Sequence, residues 1–97
     1  MPTKLWLDDA RLPPDASWTL VRTAKQAIAI LDSCDVDVIS LDYDLGEEER
    51  CGTGLDVARH LTAMVKIGRK MPTVVMLHTQ NPVGRQRMLD ELSGGRG

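Results

Sequence analysis

Phenylalanine is absent from the sequence, and Trp6, Trp18 and Tyr43 are its only aromatic residues. Aliphatic side chains and methionine must therefore fill any core. No apolar run approaches the length of a membrane span, and the opening "MPTKLWLDD" is cut short by acids before it could act as a signal peptide. Charge of one sign is also lacking. Twelve basic and 14 acidic residues leave a formal net charge of -2, which excludes bulk electrostatic attraction to nucleic acid. Cys34 and Cys51 have neither zinc-like spacing nor the number for a disulfide framework. These absences describe a soluble, cytoplasmic, reduced protein with no membrane partner. Its 97 residues are enough for one core, read as a single domain over 1–92, with "SGGRG" giving a flexible tail over 93–97.

What is present is a regular alternation of strands and helices. "TKLWL" reads as a first strand and "WTLVR" as a second, with the proline-bearing loop "ARLPPDAS" between them. Thr23 and Gln26 have capping-box spacing, and Ala24, Ala27, Ile28 and Leu31 make an apolar helix face. "VDVISLD" has the β-branched character of a central strand buried on both faces. After the acidic loop "GEEERCGTG", the longest helix carries Leu55, Ala58, Leu61, Thr62 and Val65 on one stripe, with His60 nearly opposite and exposed. "TVVMLHT" reads as a fourth buried strand. Asn81 as N-cap and Pro82 at the first helical position then open a last helix, with Met88, Leu89 and Leu92 on its apolar side. This order predicts an α/β fold: a mostly parallel four-stranded sheet in the order 2-1-3-4. Only a short loop joins the first two strands, so it must cross extended, without a helix, if they are parallel.

Sites in such sheets form beyond the carboxyl ends of the strands. Here the first strand ends in Asp8 and Asp9, the third in Asp42 and Asp44, and the fourth in His78. In the order 2-1-3-4 the first and third strands are neighbours, so their carboxylates would gather. Two like charges ~4 Å apart repel by about 4 kcal/mol in a surface-like dielectric, and such a cluster calls for a cation. Oxygen ligands of this kind suit Mg²⁺ or Mn²⁺. Arg11 beside the acidic pair, and the helix start at Asn81, could hold an anion, with Gly84 leaving room for close approach. Taken singly, each Asp reads first as a turn or cap residue, and His78 equally well as a hydrogen-bonded core histidine. Tyr43 and Trp18 read as packed residues, and Arg85 and Arg87 as solvated.

Taken together, "LWLDDARLPP", "SLDYDLG", "GTGLDVARHL" and "HTQNPVGRQRM" resemble the cyclic-phosphate processing receiver domain family over most of the chain, from Lys4 to Met88. The resemblance implies a receiver-like three-layer sandwich that lacks the first crossover helix, the fifth strand and the lysine that ends that strand in receivers. It implies action on, or recognition of, cyclic phosphate ends of nucleotides. The matching positions are Asp8, Asp9, Arg11, Asp42, Asp44, His78 and Asn81. Tyr43 stands where the family is expected to favour histidine, which moves more of any proton transfer to His78.

The leading expectation is a phosphoesterase that opens a cyclic phosphodiester, in a cyclic nucleotide or in RNA with a 2′,3′-cyclic phosphate end. In it Asp8, Asp9 and Asp42 hold Mg²⁺ or Mn²⁺, while Arg11, Asn81 and Gly84 bind phosphate. His78 and Asp44 are the catalytic residues, with His78 passing a proton to the departing oxygen. The alternatives are a non-catalytic module that captures the same ligand, and a phosphoacceptor switch at Asp42.

Overall fold

The computed structural model describes residues 2–94. Four strands, β1 (Lys4–Leu7), β2 (Trp18–Val21), β3 (Val38–Leu41) and β4 (Val74–Leu77), alternate with the helices α1 (Ala24–Ser33), α2 (Glu48–Cys51), α3 (Gly54–Lys66) and α4 (Pro82–Gly94). The sheet order is 2-1-3-4, and every pairing is parallel. The β1–β2 loop does cross without a helix, as its length required. Of the tail expected over 93–97, Ser93 and Gly94 end α4, and 95–97 lie outside the described residues.

Side chains alternate across a strand, so each strand divides its residues between two faces. Leu5, Leu7, Val21, Ile39 and Leu41 point to one face and join Ala27, Leu31, Val57, Ala58, Leu61, Met64 and Met88 of the helices in a single core. α3 packs between α1 and α4, so all three helices cover that one face. The layering is thus simpler than a three-layer sandwich: one sheet, one helical layer. Trp6 and Ser40 lie on the opposite face, side by side in the register, with Met76 next to Ser40. The β1–β2 loop folds back there, and the Trp6 indole Nε1 donates to the Arg11 carbonyl at 3.1 Å.

β4 is accordingly not the buried strand its sequence suggests. It is one of the two edge strands, and Val74 and Met76 are 44% and 46% exposed because no helix covers their face. The α3 stripe is also rotated from expectation. Val57 and Met64 are buried, whereas Val65 is exposed, since α3 has neighbours on two sides. In α4 Met88 is buried but Leu89 is exposed. The acidic loop forms the short helix α2. His60 is only half-exposed: its Nε2 meets Asp32 Oδ1 at 2.8 Å, where Arg69 Nη1 also donates at 2.9 Å, and the trio straps α1 to α3 and the turn after it.

Candidate functional site at the carboxyl edge of the sheet

The parallel register brings the ends of β1, β3 and β4 to one edge. Asp8 follows Leu7 directly and is 1% exposed. Its Oδ1 accepts the amides of Ala10 and Arg11, each at 2.9 Å, in the tight turn that starts the β1–β2 loop. Its Oδ2 lies 3.0 Å from His78 Nε2. Burial alone would raise the Asp8 pKa, but the Arg11 and Ala10 amides, then His78, outweigh it and hold the group below its ordinary 3.8. Asp8 is therefore an ionised carboxylate at neutral pH.

Asp42 is also buried, with Oδ1 accepting the Tyr43 amide at 2.8 Å. One ligand atom each from Asp8, Asp42 and His78 falls within 4.8 Å of the others. Two atoms bound to one hard cation can lie no more than about 5.2 Å apart, twice its longest oxygen bond, so the group fits a cation. Mg²⁺, with bonds near 2.1 Å, would require the widest pair to close by several tenths of an ångström. Asp9 is exposed and stays outside this group, on the rim of the cavity above it.

That cavity, about 450 Å³, is lined by Asp8, Asp9, Arg11, Asp42, Asp44 and the 79–82 segment. Asp44 is exposed, and its Oδ2 accepts from Asn81 Nδ2 at 3.1 Å. Asn81 Oδ1 accepts the Gly84 amide at 3.0 Å, which is the N-cap bond expected of it. Arg85 also donates its amide to the Asn81 carbonyl. Pro82 has no N–H, so Val83 provides the one first-turn amide left for a ligand. Arg11 reaches across to the other side, with Nη1 donating to the His78 carbonyl at 3.4 Å.

Gly84 is placed differently from its predicted role. It leaves room for the Tyr43 ring, not for a phosphate: a Cβ there would overlap the ring and stand 2.7 Å from Tyr43 Cβ. Tyr43 is packed, as expected, and its hydroxyl accepts from Arg87 Nη1 at 3.1 Å, so Arg87 is not simply solvated. Arg85 is likewise engaged, donating to the Leu77 carbonyl on the β4 edge.

Two residues at the site were not singled out from the sequence. Ser40 Oγ lies 2.7 Å from His78 Nδ1, and the Trp6 indole stacks on the His78 ring with centroids 3.9 Å apart and planes 6° from parallel. Trp18 packs edge-on against Trp6 under the Lys4 ammonium, half-buried. A period-two reading held the signal: Trp6 stands two before Asp8, and Ser40 two before Asp42, on the same face.

The profile of the Cyclic-phosphate processing Receiver domain family matches residues 3–94. No match was found among curated proteins or among solved structures. With nearly its full length matched, and with the acids of β1 and β3 meeting at the carboxyl edge of a parallel 2-1-3-4 sheet, the chain belongs to the cyclic-phosphate processing receiver domain family.

Proposed function

We propose that this domain is a metal-dependent phosphoesterase that opens a cyclic phosphodiester, either a cyclic nucleotide or the 2′,3′-cyclic phosphate end of RNA. The observation that carries the proposal is the charge imbalance of the cavity: four carboxylates line it, with Arg11 the one cationic side chain among them. An anionic phosphodiester cannot settle against such a wall unless a cation comes with it.

Asp8 and Asp42 would hold Mg²⁺ or Mn²⁺, with Asp9 on the rim as a further oxygen donor. Such an ion supplies charge neutralisation and stabilises the oxygen that departs. Arg11 and the start of α4 at Asn81 and Pro82 both line the cavity and would orient the phosphate. Asp44 has one oxygen fixed by Asn81 and the other open, so it can take a proton from a water attacking phosphorus. A P–O bond to water forms as the P–O bond to one sugar oxygen breaks, and solvent returns the proton to that oxygen. His78, with both ring nitrogens engaged and off the cavity wall, is a poor free acid in this arrangement.

The test is incubation with cyclic mononucleotides, cyclic dinucleotides and 2′,3′-cyclic-ended RNA, with and without Mn²⁺, followed by ³¹P NMR of the products. Conversion of at least one of them to an open phosphomonoester or phosphodiester is expected. No product from any of them contradicts the proposal.

A further inference from the structure

Asp8, Asp42 and His78 form a group that a cation could bridge, yet the hydrogen bonds of His78 give it a different task. We infer that Ser40 and Trp6 are positioning residues that fix His78 as an Nε2–H donor to Asp8, so that His78 clamps the carboxylate and does not itself ligate the cation. The inference deepens the metal-dependent reading above and rests on it only for the cation.

The proton assignment follows from donor and acceptor inventory. Asp8 Oδ1 accepts two amides, and hydrogen bonds of this kind stabilise the ionised carboxylate over the acid. An ionised carboxylate has no proton to give, so the 3.0 Å contact between Asp8 Oδ2 and His78 Nε2 needs a proton on the nitrogen. Ser40 then decides the other nitrogen. Its Oγ is fully buried, and among the described residues its one partner is His78 Nδ1 at 2.7 Å. If Nδ1 also carried a proton, the Ser40 hydroxyl proton would be stranded in the interior, which costs about 1–3 kcal/mol. A bare Nδ1 accepting from Ser40 satisfies every group. The Trp6 indole, flat on the ring, holds the imidazole in the plane that both bonds require.

The consequence concerns the cation. An imidazole whose Nε2 lone pair is used by a proton has none left for a metal. A carboxylate offers about four lone-pair sites, and Asp8 uses three of them on Ala10, Arg11 and His78. One remains on Oδ2, and Asp8 and Asp42 both line the cavity. The set is then all oxygen, which favours Mg²⁺ or Mn²⁺ over zinc. Usually a ligating histidine is steadied by an outer carboxylate. Here the roles are exchanged.

Long-range ¹⁵N–¹H spectra of the metal-free full chain at neutral pH test this directly, since only His60 and His78 contribute histidine signals and His78→Gln identifies the second. The expected pattern for His78 is a proton on Nε2 and a bare Nδ1 that accepts from Ser40. In Ser40→Ala the Nδ1 resonance should move toward that of a nitrogen without a donor, and Ser40→Thr should restore it. A proton on Nδ1 in the wild type, alone or in a doubly protonated ring, overturns the inference. Mn²⁺ affinity by electron paramagnetic resonance adds a second readout. His78→Gln keeps a donor for Asp8 and should bind within about threefold of wild type, whereas His78→Ala should lose about tenfold or more. Equal losses in both variants would overturn the clamp and make His78 a ligand. If the wild type binds no Mn²⁺, the metal-dependent reading fails, and the nitrogen spectra still decide the positioning of His78.

Discussion

The side-chain amide of Asn81 ties the loop after β3 to the start of α4: its Nδ2 donates to Asp44 Oδ2, and its Oδ1 accepts the Gly84 amide. One side chain thus fixes both the cavity wall and the helix that borders it. Asn81→Ala removes both bonds and should cost about 1–2 kcal/mol by urea denaturation, the usual range for a lost cap. Asn81→Asp keeps the cap but turns a donor toward Asp44 into a second carboxylate. It should be less destabilising than alanine at high salt and lose that advantage at low salt, where the two charges are unscreened.

Close packing at two glycines supports the same wall. A Cβ at Gly84 would enter the Tyr43 ring, and one at Gly54 would overlap the Asp42 carbonyl oxygen. Both neighbours are rigid, so Gly84→Ala and Gly54→Ala should each destabilise by about 1–3 kcal/mol or more, read from the shift in urea midpoint. Stabilisation by either substitution would contradict the packing described.

The single-sided helical layer makes a contrasting pair of predictions. Met76→Gln, on the open face of the edge strand, should change stability by no more than about 0.5 kcal/mol. Ile39→Ala, on the covered face, should cost about 2–5 kcal/mol. Comparable losses at the two positions would mean that the open face is covered.

The strand ends were legible in the sequence because burial and chemistry change together there: an aliphatic run stops and an acid or His78 follows. Which face the helices take was not legible. Val74 and Met76 are as apolar as Val75 and Leu77, and only the layout of neighbours decides which pair is covered. The rotation of the α3 stripe has the same origin, since Leu55 and Val65 satisfy the helical period as well as Val57 and Met64 do. Gly84 shows a further limit. A glycine at a helix start reads as space for a ligand, while the space is in fact filled by Tyr43, which lies more than 40 positions earlier. Ser40 went unnoticed because a lone serine inside a strand carries no signal until its partner across the sheet is known.

Acid stability should report on Asp8. Its pKa is depressed in the folded chain, so the stabilisation it provides is complete above the ordinary value of 3.8 and is lost as pH falls through the lower folded value. Asp8→Asn should therefore flatten the fall in stability below that point, measured by thermal melts across the acid range. An unchanged acid limb would show that Asp8 is not held ionised by Arg11, Ala10 and His78.

The most direct test of the functional account is the rate of opening of a 2′,3′-cyclic nucleotide by wild type with Mn²⁺, by the same sample after chelation, and by Asp42→Asn. The account predicts turnover that stops with chelator and returns with added Mn²⁺. It also predicts a loss of about 100-fold or more in Asp42→Asn, the rate equivalent of the several kcal/mol such an ion supplies. Turnover that survives both chelation and Asp42→Asn would contradict it.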